Sequence, residues 1–209
     1  MSRKLCILFP GVGYTTERPL MYYSGKVFKK MGYEVIALKY KNLPKKKGTD
    51  SSKMGETFKM VMEQTREQLA DVFAKFRSEE CSAEENVAVK NDFDSVVFVG
   101  KSIGTIASVF YASELVEKKV ITEPENFLRF VYLTPLEETF KKVVSVPAIA
   151  FHGTADPWVE TSIIERECER FDVPLYIYKD ANHSLETGNV EIDIESVGDV
   201  MLKIEQFIK

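Results

Sequence analysis

Cysteine is scarce in this chain, whose 209 residues include three, Cys6, Cys81 and Cys168. Their number is odd, they lie far apart, and no two of them form a CxxC pair. A disulfide framework requires paired cysteines and a structural zinc site requires closely spaced ligands, so the sequence favours neither. We therefore expect reduced thiols, as in a cytoplasmic protein.

Long apolar runs and an excess of charge of one sign are also missing. No apolar stretch approaches the roughly 18 to 20 residues that cross a bilayer. The apolar run at residues 5–9 is too short for the core of a signal peptide. The 28 basic and 32 acidic residues give a net charge of −4, so no basic footprint for nucleic acid is present. We expect a small-molecule partner, with no nucleic acid and no membrane, and the sequence indicates nothing about oligomeric state.

Short apolar runs alternate with longer amphipathic segments along the chain. Six runs are predicted as strands, at residues 5–9, 34–40, 95–99, 128–133, 148–151 and 175–178. Helices are predicted at 19–31, 53–80 and 103–116, and polar loops at 41–48 and 78–94. This alternation predicts one α/β domain over residues 1–209, a doubly wound, mostly parallel six-stranded sheet with helices on both faces.

The motif Gly100-Lys101-Ser102-Ile103-Gly104 lies between the third predicted strand and the helix that follows it. A GxSxG sequence in this position is typical of a nucleophile elbow, a turn too tight for side chains at its two glycine positions. The turn presents Ser102, which is the predicted nucleophile. Because the serine stands at a helix N-terminus, the amide of Ile103 is free to stabilise an oxyanion.

Histidine is scarcer than cysteine, and a nucleophilic serine needs a base to remove its proton. The two candidates are His152 and His183, each close after a predicted strand. Asp156 follows the same strand as His152, so the chain order is Ser102, Asp156, His183, as expected for this architecture. Asp180 is a competing carboxylate, although a position three residues before His183 favours a turn-capping role.

The segments GKSIG, HGTADPWV and ANHSL together resemble the α/β-hydrolase superfamily, particularly its small, lidless, esterase-like (dienelactone-hydrolase-like) members. The resemblance extends over nearly the whole chain and implies the strand order 2-1-3-4-5-6. It implies Ser102 as nucleophile, His183 as general base and acid, Asp156 as the residue that orients the imidazole, and His152 as a structural residue. No cofactor and no metal are expected. Only residues 134–146 separate the fourth and fifth predicted strands, too few for a cap or lid domain.

The first predicted strand ends in the turn Gly11-Val12-Gly13, which resembles the family's first oxyanion-hole loop. Val12 or Gly13 is expected to donate the second amide of the oxyanion hole, and the choice between them stays open. In the implied strand order, the loops after strands 1 and 3 flank the switch point where ligands bind. Four residues that follow strand ends are predicted to border the substrate pocket: Tyr14, Pro135, Leu136 and Trp158.

Two nucleotide-binding patterns fail on their spacing. The GxGxxG pattern at residues 11–16 ends in Thr16 instead of glycine, and a phosphate-binding loop ending at 100–102 would need glycine where Ser95 stands. The prediction is therefore a serine hydrolase that cleaves a small carboxylic ester or related acyl bond, as a carboxylesterase or thioesterase does. The alternative is a non-catalytic protein of the same fold that binds a small molecule or a protein.

Overall fold

The computed structural model describes residues 3–44, 51–74, 93–142 and 144–209. Six strands form a single sheet in the order β2-β1-β3-β4-β5-β6, and every neighbouring pair is parallel. The strands are β1 (Lys4–Phe9), β2 (Glu34–Ala37), β3 (Ser95–Lys101), β4 (Leu128–Leu133), β5 (Ala148–Gly153) and β6 (Leu175–Tyr178). The predicted fold class and strand order are confirmed.

Five α-helices accompany the sheet in the described part of the chain. They are α1 (Pro19–Lys30), α2 (Ser51–Ala74), α3 (Ile103–Glu117), α4 (Thr161–Arg170) and α5 (Val190–Ile208). The predicted helices at 19–31 and 103–116 are confirmed to within one residue, and the third is present up to Ala74. Outside the described residues lie the rest of that prediction, half of the predicted loop at 41–48, most of the loop at 78–94, and Cys81. Cys6 and Cys168 are buried and unpaired.

The second strand is shorter than predicted, because it ends at Ala37 and not at residue 40. Beyond Leu38, whose amide still donates to the carbonyl of Leu8 in β1 at 3.0 Å, the backbone pairs with side chains of α2 instead of a neighbouring strand. The amide of Lys39 donates to Gln68 Oε1 at 2.9 Å, and the amide of Lys41 donates to Gln64 Oε1 at 2.8 Å. Residues 38–41 therefore lie against α2 as an extended segment.

Both faces of the sheet are covered by helices, as the side chains of β3 illustrate. Val96 and Phe98 point into a core formed with α2, α3 and α4, whereas Val97 and Val99 point into a second core formed with α1 and α5. All four side chains are buried. A strand covered on both faces needs apolar side chains at successive positions, and not an alternation of apolar and polar ones.

The topology brings the carboxyl ends of all six strands to one edge, where the loops after β1 and β3 diverge on either side of the switch point. Between β4 and β5, the described residues include one short 3₁₀ helix, Glu137–Lys141. Within the described segments, no helix is both long enough and apolar enough to cross a bilayer.

Candidate active site

Ser102 occupies the turn between β3 and α3 with φ 56° and ψ −124°, a strained conformation for a residue with a side chain. Such conformations cost of the order of 1 to 3 kcal/mol and cluster at functional sites. A Cβ atom on Gly104 would lie 2.0 Å from the carbonyl oxygen of Phe9, and one on Gly100 would lie 2.6 Å from the Cα of Thr105. The tightness of the turn therefore demands glycine at both positions.

His183 and Asp156 form the shortest hydrogen bond of the site, with 2.6 Å between His183 Nδ1 and Asp156 Oδ2. The side chain of Asp156 is fully buried, and its Oδ1 accepts a second hydrogen bond, at 2.9 Å, from the amide of Trp158. Because an ionised carboxylate accepts hydrogen bonds only, this contact assigns the imidazole proton to Nδ1. His183 Nε2 is then the proton acceptor, and it has no hydrogen-bond partner in the described part of the chain.

Asp180 makes a different contact. Its backbone has φ 57°, and its amide donates to Thr154 Oγ1 at 2.8 Å. It therefore stands in the turn before His183, while Asp156 is the carboxylate that His183 contacts.

Backbone hydrogen bonds hold the loops of Asp156 and His183 together. The amide of Thr154 donates to the carbonyl of Tyr178 at 3.0 Å, and that of Ala155 donates to the carbonyl of Ala181 at 2.9 Å. The carbonyl of His183 accepts from Thr134 Oγ1 at 3.0 Å, which ties the loop to the end of β4. The separation of imidazole and carboxylate is thus set by three strand ends of the sheet.

The electrostatics favour a neutral His183 beside an ionised Asp156. Burial lowers the pKa of His183, the hydrogen bond to Asp156 opposes this, and the positive charge of Lys101 lowers the pKa further. For Asp156, burial raises the pKa, but the hydrogen bond and charge of His183 and the amide of Trp158 outweigh it, so the pKa lies below the usual value. Near neutral pH, His183 is therefore in the state that accepts a proton.

His152 lies at the end of β5 and is completely buried. Its Nδ1 is 3.9 Å from Asp156 Oδ2, too far for a hydrogen bond, and neither ring nitrogen has a partner among the described residues. Burial lowers the pKa of His152, so the ring is neutral. His183, by contrast, keeps 17% of its side chain exposed. No group of three metal-ligating side chains occurs in the described segments.

The glycine turn after β1 lies directly against the elbow. Reciprocal hydrogen bonds between Gly11 and Tyr14, of 3.1 and 3.3 Å, close the turn and leave Val12 and Gly13 at its tip. A Cβ on Gly11 would lie 3.3 Å from the Cβ of Ser102, so the two loops are in contact. The amides at the tip are not used by this reciprocal pair. Ile103 is the first residue of α3, where a backbone N–H has no partner within the helix.

Lys101, to which the motif assigns no role, is the most unusual neighbour of the site. It is 1% exposed, its Nζ lies 4.9 Å from the centre of the Tyr14 ring, and it interacts electrostatically with Asp156 and Glu186. Burial lowers its pKa to about 7, although these two carboxylates oppose the shift. Its place at the end of a strand covered on both faces is the sequence signal that predicts such burial.

The four predicted pocket residues have different surroundings. Trp158 lies 6.1 Å from the His183 ring, centre to centre, and lines a cavity of about 650 Å³ beside the glycine turn. Tyr14 is buried with its hydroxyl accepting from the amide of Leu20 at 3.2 Å, and it lines a separate cavity between α1 and α5. Pro135 and Leu136 are buried, Leu136 within the core, and neither lines the cavity that holds Trp158.

No protein-family model matches the chain, and no curated protein matches it in sequence. Solved structures do match. A serine hydrolase homologue from Coxiella burnetii is 13% identical with a TM-score of 0.60, covering 98% of this chain and 86% of its own. A serine hydrolase without lid from Xanthomonas campestris is 14% identical with a TM-score of 0.56, covering 99% and 84%. Est1E from Butyrivibrio proteoclasticus is 11% identical with a TM-score of 0.62, covering 99% and 89%. The chain has the α/β-hydrolase fold.

Proposed function

We propose that the protein is a serine hydrolase that cleaves a small carboxylic ester or related acyl bond through an acyl-enzyme. The observation that carries this proposal is the 2.6 Å contact between His183 Nδ1 and Asp156 Oδ2 at the sheet edge where Ser102 occupies a strained elbow. The contact orients an imidazole whose Nε2 has no other partner among the described residues. A base of this kind is what a serine nucleophile needs.

In the first half of the reaction, Ser102 Oγ attacks the acyl carbon and its proton passes to His183 Nε2. The negative charge on the carbonyl oxygen is stabilised by the amide of Ile103 and by that of Val12 or Gly13. The imidazolium of His183, stabilised by Asp156, then gives its proton to the departing alcohol or thiol. The products of this half are the leaving group and an acyl ester on Ser102.

Hydrolysis of the acyl-enzyme repeats these steps with water. His183 takes a proton from water, the resulting hydroxide attacks the acyl carbon, and the proton returns to Ser102 Oγ as the acid departs. Carboxylic esters and thioesters share this route, so we propose a carboxylesterase or thioesterase. The segment between β4 and β5 has one short 3₁₀ helix in its described part, which supports an enzyme acting without a lid domain.

Labelling with a fluorophosphonate probe tests the assignment of Ser102. The probe reacts with a serine that an adjacent base has activated, so the wild-type protein is expected to become labelled and Ser102→Ala to remain unlabelled. Ser162→Ala is the matched control, because Ser162 is exposed on α4.

Equal labelling of wild type and Ser102→Ala, or no labelling of either, would overturn the proposal. The latter result would favour the non-catalytic binding protein. Loss of labelling in Ser162→Ala would mean that the reactive serine is Ser162 and not Ser102.

A further inference from the structure

The cavity beside the glycine turn is large and predominantly apolar. It measures about 650 Å³, within the size range of small-molecule sites. One wall is the turn itself and the residues after it, and another is the extended segment at 38–41 together with Leu43 and Pro44. Its principal apolar lining residues are Val12, Leu38, Tyr40, Leu43 and Trp158.

The cavity adjoins the candidate active site on two sides. Val12 and Gly13, at the tip of the glycine turn, line it, and the base of the same turn contacts Ser102. Trp158, across the cavity, has its ring 6.1 Å from that of His183. A group attached to the carbon that Ser102 attacks therefore lies beside this cavity.

Hydrogen bonds to α2 hold residues 39–41, which form part of the cavity wall, in place before any ligand binds. Gln68 Nε2 donates to the carbonyl of Lys39 at 3.1 Å, and Gln64 Nε2 donates to the carbonyl of Lys41 at 3.0 Å, while each glutamine Oε1 accepts from the amide of the same lysine. The hydroxyl of Tyr40 bonds that of Thr65 at 3.0 Å. Glutamines four residues apart on one helix face thus pair with alternate residues of the extended segment, which fixes the shape of the cavity.

Resting on the proposed function, we propose that this cavity binds the acyl chain of the substrate and that the enzyme prefers apolar acyl groups longer than acetyl. The part of the ester that enters the cavity is the acyl chain and not the alcohol, for a geometric reason. The glycine turn that holds the carbonyl oxygen forms a wall of the cavity, whereas His183, which must face the leaving oxygen, does not line it.

A substrate series measures the preference. For p-nitrophenyl acetate, butyrate and hexanoate, kcat/KM is expected to rise about threefold to fourfold for each methylene that enters the cavity. For ethyl, butyl and hexyl acetate, in which the alcohol carries the chain, it is expected to stay nearly constant. A flat acyl series, or a rise only in the alcohol series, would refute the assignment.

The only tryptophan of the chain is Trp158, so its fluorescence reports occupancy of the cavity without any turnover. We expect methyl hexanoate to change the fluorescence of Ser102→Ala protein in a saturable way, and methyl acetate at equal concentration to have little effect. Absence of a saturable change with methyl hexanoate would contradict the proposal. If the wild type cleaves no ester, the proposed function fails, while this titration still tests the cavity.

A cavity-filling variant localises the effect. Leu43→Phe is expected to lower the ratio of hexanoyl to acetyl kcat/KM by about tenfold. Ile194→Phe is the matched control, because Ile194 lines the other apolar cavity, between α1 and α5, and should leave the ratio at its wild-type value. Should Leu43→Phe fail to fold, Leu43→Ala is expected to weaken binding of methyl hexanoate in the fluorescence titration. An unchanged ratio in Leu43→Phe, or an equal drop in Ile194→Phe, counts against the proposal.

Discussion

Lys101, which is buried, interacts electrostatically with His183. In the proposed mechanism, protonated His183 cannot accept the proton of Ser102, so activity is expected to appear as the pH rises through the pKa of His183. Burial lowers that pKa from its ordinary value near 6.5 and the charge of Lys101 lowers it further, against the opposing hydrogen bond to Asp156. Under the proposed function, the protein is therefore expected to keep this base neutral in mildly acidic solution.

The pH dependence of kcat/KM tests this electrostatic arrangement. The acid limb of the wild type is expected to have its midpoint below 6.5, since burial favours neutral His183. In Lys101→Met the midpoint should move to higher pH, because a cation that opposes protonation is gone. Lys179→Met, at an exposed position, is the control and should retain the wild-type midpoint. A downward shift in Lys101→Met would show that the lysine does not act on His183 in this way.

At the level of single residues, the sequence predicted those whose roles follow from a local pattern. Ser102 was recognisable from its glycines and strand-helix context, and the contact between Asp156 and His183 followed from strand ends that meet at one edge. Pro135 and Leu136 are predicted to border the pocket because they follow β4; both are buried, and neither lines the cavity that holds Trp158. Whether a residue after a strand faces solvent or core depends on packing from distant segments, which a local pattern does not contain.

At the scale of elements, the start of α3 packs closely against the end of β1. A Cβ on Gly104 would lie within the contact distance of three backbone atoms of Phe9 and Pro10. Gly198, in the interior of α5, has nothing within 4 Å of its Cβ position. The same substitution therefore has opposite consequences in the two helices.

Gly104→Ala is expected to destabilise the protein by several kcal/mol, because β1 and α3 must separate to admit the methyl group. Gly198→Ala is expected to stabilise it by about 0.5 to 1 kcal/mol, since alanine loses less backbone entropy in a helix. Urea denaturation of both variants measures these changes. Similar urea midpoints for the two variants would mean that the elbow accommodates the methyl group without loss of stability.

Helix α5 is not among the helices predicted from the sequence. At the start of the helix, the apolar residues Val190, Ile192 and Ile194 alternate with acidic residues, and a period of two is typical of a strand. All three apolar side chains are exposed. The helix begins because the side chain of Asn189 accepts a hydrogen bond from the amide of Ile192 at 3.1 Å. Its burial against the sheet comes from residues further along, including Val200 and Ile204.

At the scale of the molecule, two hydrophobic cores share one sheet in the part of the chain that the structure describes. Phe98 lies in the core beneath α2 and α3, where its ring packs 5.0 Å from that of Phe9, and Phe151 lies in the core beneath α1 and α5. The strands that contribute to one core contribute alternate residues to the other, so neither core can separate while the sheet is intact. We infer that the two cores unfold together, as expected of a single domain.

Variants in each core test this cooperativity. Phe98→Ala and Phe151→Ala each remove a fully buried ring and are expected to cost about 3 to 5 kcal/mol. Because the cores share the sheet, both variants should move one urea transition to lower concentration, with coincident fluorescence and circular dichroism curves and an unchanged m-value. Val190→Ala, exposed at the start of α5, is the control and should leave the midpoint near that of the wild type. Two separated transitions in either core variant, with one face of the sheet lost before the other, would contradict unfolding as a single unit.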